Sequence, residues 1–457
     1  MTGQKTLPAR YYTDPGVFQQ ELENLFCQMW VCAGRTEQVS KHGDFFLCEI
    51  AGESIIVTRD GDVLRGFYNV CRHRGTRVCC EEEGQFAGPI RCPYHGWSYG
   101  LDGRLVGAPH MDEASFRREE YPLHSVEIDE WDGFVFLNLN LAAHSQPLAV
   151  QLADLPKKFA SWGLRDLRRY KRISYEVKAN WKLIVLNYNE CLHCPLLHPA
   201  LNRVTDYLSG SNDPPQPTYI GGSMELRHGV ETMSVDGRRR REYLPGLNEA
   251  QRKQVFYYAI YPNLFLSLHP DYVMAHTLWP LDVASTQVVC EWYFHPNEMA
   301  KPDFDANDAV EFWDITNRED WGISELAQQG ISSRAYVLGP YSPRERLPAA
   351  FDQWILQHEQ VVRSWIERGQ SQTKTARSVN CGTTYTPLSL VCVLLSGNSA
   401  FNLHPVRSDV AAGMFCGSLT IVFPRTKVKG EAVPTSFRFP ETKSAHLKFS
   451  PLSDNNL

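Results

Sequence analysis

The 457-residue chain is short of most of the features that would assign it to a class at once. It has no apolar run of membrane-spanning length; the most apolar stretch, Leu390 to Leu395, is far too short for a transmembrane helix. Met1 to Arg10 carries no apolar run of the signal-peptide kind. No Gly-x-Gly-x-x-Gly follows a strand pattern, so no nicotinamide or flavin site of its own is visible. Charge of one sign is not in excess: a formal net charge of -6 provides no basic field for nucleic acid or an anionic membrane. No internal repeat is visible either. The expectation is a cytoplasmic protein with no nucleic-acid and no membrane partner.

What is present is ordinary in bulk. A hydrophobic fraction of 43% and a charged fraction of 21% suit a soluble globular protein. The length allows two or three domains and more than one buried core. Thirteen cysteines are an odd count. With no sign of export, they predict a reducing compartment, where cysteine serves as metal ligand, reactive thiol or core filler more often than as disulfide.

Along the chain, Asp14-Pro15 offers an N-cap and a first-turn proline, and Phe18, Leu22, Leu25 and Phe26 follow at helical spacing. Residues 45–50, 54–59 and 64–70 alternate as strands separated by Ala-Gly-Glu and Asp-Gly-Asp turns, an antiparallel meander, with 133–138 as a closing strand. After a polar, proline-bearing stretch near 145–156 the pattern is mixed. Strands are expected at 173–177, 255–260, 272–278 and 287–294, and helices at 179–194, 305–336 and 351–368. The fold class is therefore α+β. The expected division is an N-terminal helical segment (1–39), a small antiparallel β domain (40–150), a catalytic domain (151–368) and a Ser-, Thr-, Pro- and Gly-rich tail (369–457).

Two constellations carry chemistry. The first is Cys71-Arg72-His73-Arg74-Gly75, then Cys92-Pro93-Tyr94-His95-Gly96-Trp97. Each half supplies one thiolate and one imidazole beside a glycine-bearing turn. Two such loops suit a Rieske-type [2Fe–2S] cluster, in which two cysteines hold one iron and two histidines the other. A tetrahedral Cys2His2 zinc site is the competing reading. Cys79 and Cys80 do not fit the pattern and are read as structural.

The second is Asn187-Tyr188-Asn189-Glu190-Cys191-Leu192-His193-Cys194-Pro195-Leu196-Leu197-His198-Pro199. Glu190 and His193 share a helical face, and Pro195 should end that helix near Cys194, leaving His198 to turn back beside His193. Two convergent histidines suit iron(II), which needs one carboxylate more and keeps positions open for O2. Cys191-x-x-Cys194 can also be read as a redox dithiol, but no thioredoxin-like strand and helix surround it. The third ligand has five candidates on the long helix: Glu311, Asp314, Glu319, Asp320 and Glu325. One stripe of that helix turns Asp320 inward and another turns Glu319 inward, so periodicity does not choose.

Cys71-x-His73 with Cys92-x-x-His95-Gly96-Trp97, followed by the Asn-x-x-Glu-Cys-x-His-Cys-x-x-x-His-Pro segment, resembles the Rieske non-haem iron oxygenases, catalytic α subunit, over about residues 12–366. The resemblance implies a Rieske domain joined to a catalytic domain built as a helix-wrapped antiparallel sheet. It implies Cys71, His73, Cys92 and His95 as cluster ligands, and His193, His198 and Asp320 as ligands of a mononuclear Fe(II), since Glu319-Asp320-Trp321-Gly322-Ile323 is similar to the family's ligand segment. Glu190 would be the catalytic bridge to a cluster histidine of a neighbouring subunit in a head-to-tail homotrimer. Many ring-dihydroxylating members have Asp at that position; relatives acting on quaternary amines have Glu.

The implied activity is hydroxylation of an aromatic ring or a C–H bond with O2. Electrons would come from NAD(P)H through a separate flavin-containing reductase, with or without a ferredoxin. N-dealkylation of a quaternary or tertiary amine is the alternative within the family. A Rieske electron-transfer or redox-sensing protein without oxygenase activity, and a zinc-stabilised binding module, are alternatives from other classes. Arg72, Arg74 and Arg77 are candidate docking charges, the Arg238–Arg241 run is read as an exposed loop, and Tyr257, Tyr258, Tyr261 and Trp279 are candidate pocket aromatics.

Overall fold

The structure is a computed structural model, and it describes residues 4–112, 114–140 and 145–359. The expected tail, 369–457, and the end of the last expected helix lie outside the described residues. Among those described, no helix is long and apolar enough to cross a membrane.

Asp14 caps the first long helix as its side chain implies, accepting from Gly16 N at 2.7 Å, with Pro15 in the first turn. The meander then forms: Asp44–Ile50, Glu53–Asp60 and Val63–Tyr68 pair in register, and Glu83–Gln85 adds a fourth strand beside the first. The strand expected to close the meander does something else. Phe134–Asn138 pairs with Glu127–Trp131 and with Val31–Arg35, in a separate three-stranded sheet. The segment expected to be helical before residue 40 thus contributes a strand, because its apolar Val31 and Cys32 are buried against Leu137 and Phe136.

The catalytic half is a seven-stranded antiparallel sheet. In spatial order its strands are Arg168–Val177, Ser285–Phe294, Val273–Asp282, Leu264–Leu268, Gln254–Ile260, Tyr219–Glu225 and Ser211–Asn212. Alternation decides its faces. Met274, Leu278, Cys290 and Trp292 pack with Trp181, Ile184, Ala309 and Phe312 from two helices, Trp181–Tyr188 and Asn307–Ile331. Val273, Ala275 and Tyr293 face the other way, against Leu148, Leu152, Leu155 and Phe159. Both faces are therefore covered by helix, and the chain is α+β as expected.

Three strands of this sheet escape the sequence pattern, the two-residue Ser211–Asn212 among them. Tyr219–Glu225 contains Gly221 and Gly222, which read as a turn. Here they permit close approach: a Cβ on Gly221 would lie 2.4 Å from Tyr257 O, and one on Gly222 2.3 Å from Ser211 O. Leu264–Leu268 is a short, fully buried run with no alternation to reveal it.

The arginine run is a loop with Arg238 and Arg240 exposed, as expected, but its last residue departs from that reading. Arg241 is 1% exposed and its guanidinium meets Asp271 and Asp308 at 3.0 and 2.6 Å. A buried cation requires such partners, and the net charge of the chain gives no hint of them.

Candidate active site

The cluster loops repeat one backbone arrangement. Gly75 N donates to Cys71 O at 3.0 Å and Gly96 N to Cys92 O at 3.1 Å; Cys71 N reaches Thr76 O and Cys92 N reaches Trp97 O, both at 2.8 Å. Gly75 and Gly96 share a φ of 73°, the left-handed conformation that glycine adopts without strain. These turns bring together the four residues singled out in sequence. The His73 and His95 rings lie 4.7 Å apart, and the Cys71 and Cys92 thiols are buried. Burial pushes the Cys92 thiol up. Two inward thiols and two outer imidazoles are the donor set that a Rieske cluster divides between its irons. Tyr99 adds a group the sequence reading missed: its hydroxyl sits 3.3 Å from Cys71 Sγ.

Of the nearby arginines, Arg72 donates to Pro122 O and Arg77 pairs with Glu49, so both are used within the fold. Arg74 lies over the exposed Tyr94 ring.

The second centre begins with Asn180, whose side chain accepts from Lys182 N and starts the Trp181–Tyr188 helix. Lys182 Nζ and Trp181 Nε1 both donate to the buried Glu21 carboxylate, at 2.6 and 2.9 Å, which ties this helix to the N-terminal one. The helix ends at Tyr188, earlier than expected. Asn189 turns its side chain back to Val185 O, and Pro195 begins a new short helix instead of ending the old one. Glu190 and His193 still meet, through a turn: Glu190 Oε1 is 2.5 Å from His193 Nδ1.

The Asn307–Ile331 helix is held in place by Asp314 on Tyr175 Oη (2.7 Å), Asn317 on His276 (3.2 Å) and Gln328 on Asn180 N (3.0 Å). This rotation sends Asp320 to the histidines. Asp320 Oδ1 is 2.9 Å from His198 Nε2 and 3.4 Å from His193 Nε2. Glu319, the neighbouring candidate, takes the opposite nitrogen: its Oε2 is 2.7 Å from His198 Nδ1. Glu325 binds Lys178 N, and Glu311 lies on the exposed face.

The electrostatics describe a site that seeks positive charge. Burial opposes a charge on His193, yet hydrogen bonds to Asp320 and Glu190 outweigh it and raise its pKa to about 9. His198 is raised in the same way, and the two histidines hold the Asp320 carboxyl low despite burial. A dication among the two Nε2 atoms and Oδ1 would supply the charge that protons supply here. The outer carboxylates already hold the Nδ1 sides, as metal-ligating histidines require.

Cys194 Sγ is also close, 3.8 Å from His193 Nε2. It is joined to Cys191 in a disulfide, across a Cα separation of 5.0 Å, and so has no thiolate to offer. This differs from the free thiols that the sequence leads one to expect, because the turn after Tyr188 brings the two sulfurs together.

A cavity of about 310 Å³ opens on these groups. Its wall includes Glu190, His193, His198 and Asp320, with Tyr188, Tyr207, Tyr257 and Trp313 as its aromatic side chains. Of the aromatics proposed from sequence, only Tyr257 lines it. Tyr258 packs on Phe159, Tyr261 packs on Trp354, and Trp279 lies outside the wall. Trp313 shares the helix stripe of Asp320, and Tyr207 follows the histidine turn, but nothing in the sequence marks either as a cavity residue.

Residues 29–127 match the family described as Rieske [2Fe-2S] domain, and residues 164–360 match Ring hydroxylating alpha subunit (catalytic domain). The chain is 32% identical over 338 residues to the carnitine monooxygenase oxygenase subunit of Escherichia coli K12, covering 72% of this chain and 85% of that one. It is 29% identical over 366 residues to the glycine betaine monooxygenase oxygenase subunit of Pseudomonas aeruginosa, covering 74% and 85%. Among solved structures, the quaternary ammonium Rieske monooxygenase CntA with L-carnitine superposes with a TM-score of 0.65 at 27% identity, over 78% of this chain and 95% of that one.

Proposed function

This chain belongs to the Rieske non-haem iron oxygenases, and we propose that within that family it hydroxylates a quaternary ammonium compound beside its nitrogen. Hydroxylation there consumes O2, two electrons and two protons and releases water. The carbinol formed then collapses to an amine and an aldehyde, which is N-dealkylation. The observation that carries the substrate reading is the cavity wall, where aromatic faces stand beside Glu190 and Asp320. An ammonium group is attracted to such faces and to such carboxylates.

The chain takes a Rieske [2Fe–2S] cluster and a mononuclear iron as cofactors. We assign Cys71, His73, Cys92 and His95 to the cluster, and His193, His198 and Asp320 to the iron. Support for the first set is the paired loop geometry; support for the second is the convergence of three donor atoms. When bound, the cluster supplies single electrons and the iron activates O2. The protein groups do the positioning. Glu190 and Glu319 hold the Nδ1 atoms of His193 and His198, so that both Nε2 atoms point to one place.

We assign Glu190 as the bridge to a neighbouring copy, in a homotrimer closed head to tail. Exposed apolar side chains beside both centres favour such an interface: Leu196 is 91% exposed near Glu190, and Tyr94 is 56% exposed beside His95. Electrons would come from NAD(P)H through a separate flavin-containing reductase, directly or by way of a ferredoxin. A reducing cytoplasm suits the eight free cysteines among the described residues.

The experiment is metal and sulfide analysis of anaerobically purified protein, coupled to aldehyde release from trimethylammonium compounds. About three irons and two sulfides per chain are expected. His193→Ala should lose one iron and keep the visible spectrum of the cluster; loss of both centres would mean the ligands are wrongly divided. Glu190→Ala should keep the cluster, weaken iron retention as the loss of an outer partner does, and stop coupled turnover even when the iron is restored; full activity in that variant would refute the bridge. Absence of aldehyde from every ammonium compound would remove the substrate reading.

A further inference from the structure

The cavity is acidic at its floor and basic at its lip. Arg344 and Arg346 line it, on the segment that leads from the Asn307–Ile331 helix into the helix beginning at residue 346. Both side chains are exposed, and neither guanidinium has a hydrogen-bond or ion-pair partner among the described residues. The carboxylate between them does not neutralise them: Glu345 Oε2 is turned back to accept from Ser342 N at 2.7 Å. Arg240 and Arg241, by contrast, stand close together and are matched by Asp236, Asp271 and Asp308. At the lip, the missing anion is on the ligand side.

We propose that Arg344 and Arg346 are specificity residues that take the carboxylate of a zwitterionic substrate, whose ammonium end enters first. The inference rests on the ammonium reading of the preceding section and adds the second charge. A simple cation would have to pass two like charges at the lip. A molecule with ammonium and carboxylate at opposite ends meets complementary charge at both. Arginine suits the task because its planar fork binds a carboxylate through two parallel hydrogen bonds. The cavity volume, at the small end of the range for ligand sites, suits a compact molecule of this kind.

The test compares binding and turnover of three trimethylammonium compounds: glycine betaine, γ-trimethylaminobutyrate and choline, which lacks the carboxylate. Calorimetry gives dissociation constants and aldehyde release gives KM and kcat. In the wild type at least one carboxylated compound should bind about ten- to a hundredfold more tightly than choline, the span for hydrogen bonds to a charged group. In Arg344→Gln/Arg346→Gln that preference should fall to within about threefold, through KM and not kcat. Each single Arg→Lys variant should recover part of it. Iron content and cluster spectrum serve as the folding control, and both positions are exposed enough for the substitutions to be tolerated. Equal binding of choline and the carboxylates in the wild type, or an unchanged preference in the double variant, overturns the arginine assignment and leaves the ammonium reading intact. Failure of all three compounds to bind the wild type overturns both.

Discussion

The two metal centres are built on opposite plans. All four proposed cluster donors lie on one stretch, from Cys71 to His95, and each loop is closed by its own backbone around a glycine. The proposed iron site takes two histidines from the turn after one helix and an aspartate 122 residues further on. Side-chain carboxylates, not backbone, fix its imidazoles. A centre made by backbone is written in a short motif and tolerates change nearby. A centre made by tertiary contact depends on how helices rotate, and a single side chain can remove it.

The largest effect should therefore come from Asp320. In Asp320→Ala the Nε2 atoms of His193 and His198 lose the carboxylate they share. The expected outcome is loss of the mononuclear iron and at least about a hundredfold less turnover, since even outer partners of a metal are worth tens of fold. The cluster spectrum should be unchanged, because the proposed cluster donors all lie on the separate stretch from Cys71 to His95. Retained iron and turnover would break the contrast and point to another carboxylate, with Glu319 first in line.

This division explains what the sequence could and could not reveal. The paired-loop geometry of the proposed cluster motif was legible, down to the two glycines, because it is local. His193 and His198 were legible as a pair, although the helix expected to carry Glu190 and His193 stops at Tyr188; the turn reproduces the Glu190–His193 contact by another route. Among the acids of the long helix, periodicity offered two inward faces, and both are used. Asp320 meets the Nε2 side and Glu319 the Nδ1 side of His198. No pattern within one helix can state that, because the choice is made by Asp314, Asn317 and Gln328, which lock the helix against Tyr175, His276 and Asn180. Tyr207, Trp313, Arg344 and Arg346 come from segments with no mutual register in sequence, so the cavity wall was invisible.

Glu319 offers a smaller and sharper test. Glu319→Gln keeps a polar group beside His198 Nδ1 but removes the charge that favours the metal-binding tautomer and raises imidazole basicity. Iron affinity should fall about ten- to a hundredfold, measured as retention against a graded chelator, while the reduction potential of the cluster stays as it was. An unchanged iron affinity would show that the 2.7 Å contact does not steady the ligand, and that the backbone alone positions His198.

The smallest effect belongs to the cluster side. Tyr99 is the one side chain among the described residues that hydrogen-bonds a proposed cluster thiol from outside the ligand set, 3.3 Å from Cys71 Sγ, and its hydroxyl also accepts from Arg72 N at 3.0 Å. Burial drives its pKa well above the ordinary tyrosine range, so the hydroxyl keeps its proton as a donor. A donor on cluster sulfur stabilises the reduced, more negative state and so raises the potential. Tyr99→Phe removes that donor while keeping the buried ring. A hydrogen bond of about 1 kcal/mol corresponds to roughly 40 mV on a one-electron couple, and the potential should fall by that order. Iron content and the affinity for substrate should not move. A shift in iron retention as large as that of Glu319→Gln would mean that the two centres are coupled within one chain, and the contrast between a backbone-made and a side-chain-made site would have to be abandoned.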